Sequence, residues 1–111
     1  MTLLPEILAE RRDAGAVELD LHVAPELAYF RDHFPGLPIL PGVVQIDWAV
    51  KLGRERLGLR GEFRGAENLK FLSIVRPGAR PTLRLALAGG RLSFSYRAGE
   101  RKYSAGVLVF G

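Results

Sequence analysis

His33 and Asp47, fourteen residues apart, form the one plausible acid/base pair of this chain. The histidine sits in His33-Phe34-Pro35-Gly36-Leu37-Pro38-Ile39-Leu40-Pro41-Gly42. Proline locks φ and pushes the residue before it toward extended geometry, so Pro35, Pro38 and Pro41 leave this loop few conformations. An imidazole with an ordinary pKa near ~6.5, held on so stiff a loop, suits proton abstraction at neutral pH. Asp47 lies in an apolar run with Val43, Val44, Ile46, Trp48 and Val50. Desolvation there would raise its carboxyl pKa and fit it to give a proton. The plainer reading pairs Asp47 with Lys51 one helical turn on, as a surface ion pair.

The elements that must position these groups follow from periodicity. Residues 41–57 read as a helix that is apolar nearly all round and should be buried on most sides, with Pro41 in its first turn and Gly58 ending it. Residues 3–12 read as a short helix, because Pro5 suits a first turn and Leu4, Ile7 and Leu8 share a face. Residues 16–23 alternate apolar with polar, as a half-buried strand does, and a helical turn is expected over residues 27–30. A strand over 66–75 closes at Pro77-Gly78. Leu83, Leu85 and Leu87 alternate on the next strand, and Leu92, Phe94 and Tyr96 on the one after it. Gly89-Gly90 between them is a two-residue hairpin signal. Gly99-Glu100 marks a further turn, after which Tyr103, Ala105, Val107 and Val109 alternate. The pattern predicts an α+β fold, a sheet of about five to six antiparallel strands around one long helix, in a single domain over residues 1–111. The sheet would leave an edge strand in need of cover, so a homodimer is expected.

Composition narrows the class. Of 111 residues 48% are apolar and 25% charged, and none is cysteine, so neither disulfides nor thiolate chemistry enters. Two isolated histidines make no zinc site. The absence of a secretory-type leader and of a membrane-length apolar stretch reads as cytoplasmic, with no membrane partner. The net charge of +4 favours an acidic partner. The basic residues gather at Arg54, Arg56, Arg60, Arg64, Lys70, Arg76, Arg80 and Arg84, without the aromatic interleaving or motifs of a nucleic-acid binder. His22 reads as structural or exposed and Trp48 as core or dimer interface; Gln45 carries only a weak case as a positioning residue.

The segment H-F-P-G-x-P-x-x-P-G-V, with an acid fourteen residues after its histidine, closely resembles the 3-hydroxyacyl-[acyl-carrier-protein] dehydratases of the hot-dog fold, the FabA/FabZ type. Residues 23–30, Lys70-Phe71 and Arg76-Pro77-Gly78 extend the likeness over about residues 16–110. Aspartate at the acid position is the FabA habit, whereas His33-Phe34-Pro35-Gly36 looks like FabZ. The mixture is similar to the dehydratases associated with aryl-polyene biosynthesis, the ApeI-like subgroup.

The resemblance implies elimination of water from a 3-hydroxyacyl thioester carried on acyl carrier protein, without cofactor or metal. It makes His33 the base, with its other ring nitrogen donating to the Ile39 carbonyl, and Asp47 the acid. The Gly42 N–H becomes the donor to the thioester oxygen, and Phe34, Pro41 and Val43 join Ile39 in facing substrate. In such enzymes the histidine of one subunit meets the acid of the other across the dimer interface, beside an apolar acyl tunnel. The rivals are an acyl-CoA hydratase or thioesterase of the same fold, and a non-catalytic carrier-binding subunit of a dehydratase-like heterodimer.

Overall fold

The computed structural model describes residues 4–27, 30 and 38–111. Six strands and one helix follow in the order β1 (Glu6–Asp13), β2 (Ala16–His22), α1 (Gly42–Leu57), β3 (Phe63–Phe71), β4 (Thr82–Ala88), β5 (Arg91–Ala98) and β6 (Arg101–Phe110). The strands form one antiparallel sheet in the order β1-β2-β4-β5-β6-β3, so β1 and β3 are its two edges. This is the α+β architecture that the periodicity predicts.

The inner face of the sheet and one face of α1 make a continuous core. Leu19, Leu21, Leu83, Leu85, Leu92 and Leu108 are fully buried against Trp48, Ala49 and Leu52. Gly53 lets the helix lie close, since a Cβ there would stand 3.0 Å from the Leu92 side chain. Gly58 ends α1 in the left-handed region, φ +68°, where glycine has no steric penalty. Arg54 then closes the end. Its guanidinium donates to the Gly61 carbonyl at 2.9 Å and lies over the Phe110 ring. Gly89 and Gly90 both take positive φ, as the β4–β5 hairpin requires.

Three expectations change. Residues 6–13 form an edge strand, not a helix. The Gly15 turn returns the chain onto β2, where Arg11 meets Asp20 in a bidentate pair at 2.7 and 2.9 Å and Glu18 at 3.4 Å. Such cross-strand partners lie beyond the reach of a local helical period. The helix α1 buries one face rather than most of its surface: Val44, Gln45, Trp48, Ala49 and Leu52 point inward, while Val43 is 72% exposed. On β6 the core set is Ser104, Gly106, Leu108 and Phe110, in register with Tyr96, Phe94 and Leu92, and not the odd-numbered set. Tyr103 is the extra residue of a bulge between Tyr96 and Arg97 in the β5–β6 register, and it too is buried.

Candidate active site

The start of α1 is held by main-chain bonds rather than by a side-chain cap. The Leu40 N–H donates to the Val75 carbonyl at 2.8 Å, tying the incoming loop to the segment after β3. Pro41, extended at φ −60° and ψ 147°, takes the cap position, and its carbonyl accepts from the Val44 and Gln45 N–H groups. The first turn holds no acid, and among the described residues nothing accepts from the Gly42 and Val43 N–H groups. A helix end of this kind presents free donors and the positive end of the dipole.

A groove of about 330 Å³ opens beside it. Ile39, Leu40 and Gly42 form one wall and Phe71, Ile74 and Val75 the other, with Gln45 and Ser73 also lining it. The β3 strand supplies the second wall through a bulge between Glu67 and Lys70, where Asn68 takes φ +51°. Beyond the bulge the Phe71 ring lies against Gly42, so close that a Cβ on residue 42 would stand 2.7 Å from its ring carbons. Only glycine fits there without displacing the ring. The Leu72 and Ser73 N–H groups both donate to the Tyr103 carbonyl, pinning this wall to β6.

The predicted site residues divide into three groups. Gly42 and Ile39 line the groove, and Pro41 caps the helix next to it. Val43 faces outward, exposed. Asp47 lies one turn further along the same outward stripe, with Lys51 Nζ 2.8 Å away and 43% of its side chain exposed. Asp47 is therefore partly open to solvent, and it does not line the Gly42 groove. His33 and Phe34 lie outside the described residues, as does the proposed partnership of His33 with the Ile39 carbonyl.

Two features went unnoticed or underrated in the sequence. Phe71 forms a wall of the groove. Gln45 is 3% exposed and anchors the first turn of α1. Ser104 Oγ donates to its Oε1 at 2.6 Å, its Nε2 donates to the Leu40 carbonyl at 3.3 Å, and Tyr96 Oη donates to its main-chain carbonyl at 2.6 Å. Burial, and secondarily the charge of Asp47, push the Tyr96 phenol well above its ordinary pKa, so it remains a donor. The available signal was an amide inside an apolar run, which is costly to bury without partners.

The charge cluster is also partly spent internally. Arg56 meets Glu10, Arg84 meets Glu18, and Arg54 serves carbonyls at the end of α1. Among the described residues no acid meets Arg60, Lys70, Arg76 or Arg80.

A six-stranded antiparallel sheet on one central helix, with a groove at the helix N-terminus, defines a hot-dog fold of the dehydratase type. The dehydratase heterocomplex ApeI:P from Xenorhabdus doucetiae superposes with a TM-score of 0.87 at 30% identity, covering 95% of this chain and 96% of the other. An uncharacterized protein from Erwinia carotovora subsp. atroseptica gives 0.81 at 33% identity, covering 97% and 96%. The ApeI dehydratase family model matches residues 9–107, and the chain belongs to this ApeI-like family. It is also similar to the 3-hydroxyacyl-[acyl-carrier-protein] dehydratase FabZ of Oenococcus oeni, 31% identical over 72% of this chain and 67% of that protein. The FabZ of Erythrobacter litoralis is 46% identical over 45% of this chain and 39% of that protein. Across these two relatives the chain spans 39% to 67% of their length. No helix among the described residues is long and apolar enough to cross a membrane.

Proposed function

We propose that this chain, as one domain, dehydrates (3R)-3-hydroxyacyl-[acyl-carrier-protein] to the trans-2-enoyl thioester, in fatty acid or aryl-polyene-type lipid biosynthesis. The observation that carries the reading is the uncapped N-terminus of α1 at Gly42, opening into an apolar groove walled by Phe71 and Ile74. A thioester oxygen lying there would accept from the Gly42 N–H as it gains enolate charge. His33 takes the C2 proton. The C2 electron pair then forms the C2–C3 double bond as the C3–O bond breaks, and Asp47 supplies the proton with which the hydroxyl leaves as water.

The outward position of Asp47 supports a site shared between two chains. The Val43, Asp47 and Lys51 stripe of α1 and the exposed residues Leu69, Leu72 and Ile74 of the β3 side would be covered by a second subunit. Covering Asp47 would supply the desolvation that one protomer lacks. A homodimer thus provides two composite sites, each with His33 from one chain and Asp47 from the other. The likeness to a heterocomplex favours one second reading, in which the partner is a different dehydratase-like chain.

The test is enoyl absorbance with carrier-bound 3-hydroxyacyl substrates. Each of His33→Ala and Asp47→Asn is expected to lower turnover by at least about 10²-fold while leaving the fold intact. Wild-type rates in either folded variant refute the assigned roles. Complementation of H33A by D47N on mixing marks a homodimer with shared sites. Carrier binding without turnover, relieved by a second dehydratase-like chain, marks the heterodimer.

A further inference from the structure

Gln45 and Ser104 are the buried polar side chains among the described residues, and they are bonded to each other. The orientation of the Gln45 amide is fixed by its neighbours. The Leu40 carbonyl can only accept, so Nε2 must face it, which leaves Oε1 to accept from Ser104. An amide nitrogen carries two hydrogens. One goes to Leu40, and the other has no acceptor among the described residues. A donor left unmatched in a buried position costs free energy until something accepts from it. This one belongs to a side chain that lines the groove, three residues after Gly42 and so on the same face of α1. The Tyr96 hydroxyl bonded to the Gln45 carbonyl holds that turn in place.

We propose that the Gln45 side-chain amide is the second donor to the thioester oxygen, acting beside the Gly42 N–H. The inference rests on the dehydratase reading and extends it to the group that completes the oxyanion site. An enolate oxygen has lone pairs for two donors, and a preorganised donor in a water-poor groove stabilises the developing charge without reorganising. Ser104 acts through Gln45 as a positioning residue.

The experiment uses the full chain in the assembly in which it purifies, with Gln45→Met and Ser104→Ala. Methionine keeps the shape and removes the donor. Expected for folded Q45M is a fall in kcat of about 10²- to 10³-fold, the usual effect of losing one oxyanion donor. KM should change little, because the interaction strengthens in the transition state. The probe for the donor itself is the carbonyl stretch of a bound trans-2-enoyl pantetheine thioester. Wild type is expected to shift it to lower wavenumber, Q45M to lose much of that shift, and S104A to lose part. A folded Q45M with wild-type kcat, or with an unchanged carbonyl stretch, overturns the proposal. So does a loss confined to KM and thermal stability, which is what a purely structural bolt would give. Should Q45M fail to fold, S104A decides: wild-type kcat and stretch in that variant count against the proposal, and a reduced shift supports it. A wild type that binds the thioester without turnover removes the dehydratase reading, while the carbonyl stretch still reports on the donor.

Discussion

The two edges of the sheet solve the same problem in opposite ways. An edge strand exposes unpaired main-chain groups and invites a second chain. The β1 edge is fenced with charge: Arg11 pairs with Asp20 and Glu18, and Arg12 and Arg56 both reach Glu10. The β3 edge and the residues just after it instead expose Phe63, Leu69, Phe71, Leu72 and Ile74, and among the described residues the ion pair that reaches this strand from another is Arg91–Glu67. One edge is closed by its own side chains; the other is left apolar beside the candidate active site. That asymmetry is the physical basis for expecting a partner at β3 and none at β1.

The largest effect is expected from placing a charge on the apolar edge. Leu72→Asp should keep the chain monomeric, read by light scattering, and abolish turnover with it, because the proposed composite sites could not form. Leu8→Asp on the β1 edge, where Leu8 is 47% exposed, should leave both unchanged. Monomeric wild-type protein with full activity would end the comparison.

A smaller effect is expected where the β3 segment meets the helix. Gly42→Ala drives a Cβ to within 2.7 Å of the Phe71 ring. Overpacking of this sort typically costs about 1–3 kcal/mol, and thermal or denaturant unfolding should show it. Adding Phe71→Ala should recover part of that loss, a coupling that a double-mutant cycle reads directly. Simple additivity would mean that the ring does not press on residue 42 in solution.

The smallest effect belongs to the charged edge. The Arg11 guanidinium, with help from the Thr82 hydroxyl, holds the Asp20 carboxyl down at about 2 from an ordinary 3.8. Its stabilising contribution is present above about 3.8 and is lost as the pH falls through about 2. Arg11→Ala should therefore lower the thermal midpoint slightly at neutral pH and flatten its fall over that acid window, so that variant and wild type converge near pH 2. The effect is modest because the pair faces solvent.

How far the sequence could be read depends on whether the relevant partner is near in the chain. The Gly89-Gly90 hairpin was legible because the turn geometry belongs to those two residues alone. The helix from Gly42 was equally plain from its proline, its glycine and its apolar content. Residues 6–13 misled because Leu4, Ile7 and Leu8 fit a helical period, whereas the Arg11 partners Asp20 and Glu18 lie across a turn. Gln45 showed only as an odd amide, since its partner Ser104 is 59 residues away.

From the chain alone came the chemistry-bearing types and their frame: His33 on a proline-stiffened loop, Asp47 fourteen residues on, and Gly42 where a helix must begin. Those features are local, set by fixed φ, missing N–H groups and missing Cβ atoms. Tertiary structure alone decided that Asp47 looks out toward Lys51, that Phe71 seats on Gly42, that Ser104 orients Gln45, and that β3 rather than β1 keeps an apolar edge. Each depends on which distant strand lies alongside, a choice made by burial of the whole core rather than by any short run of residues.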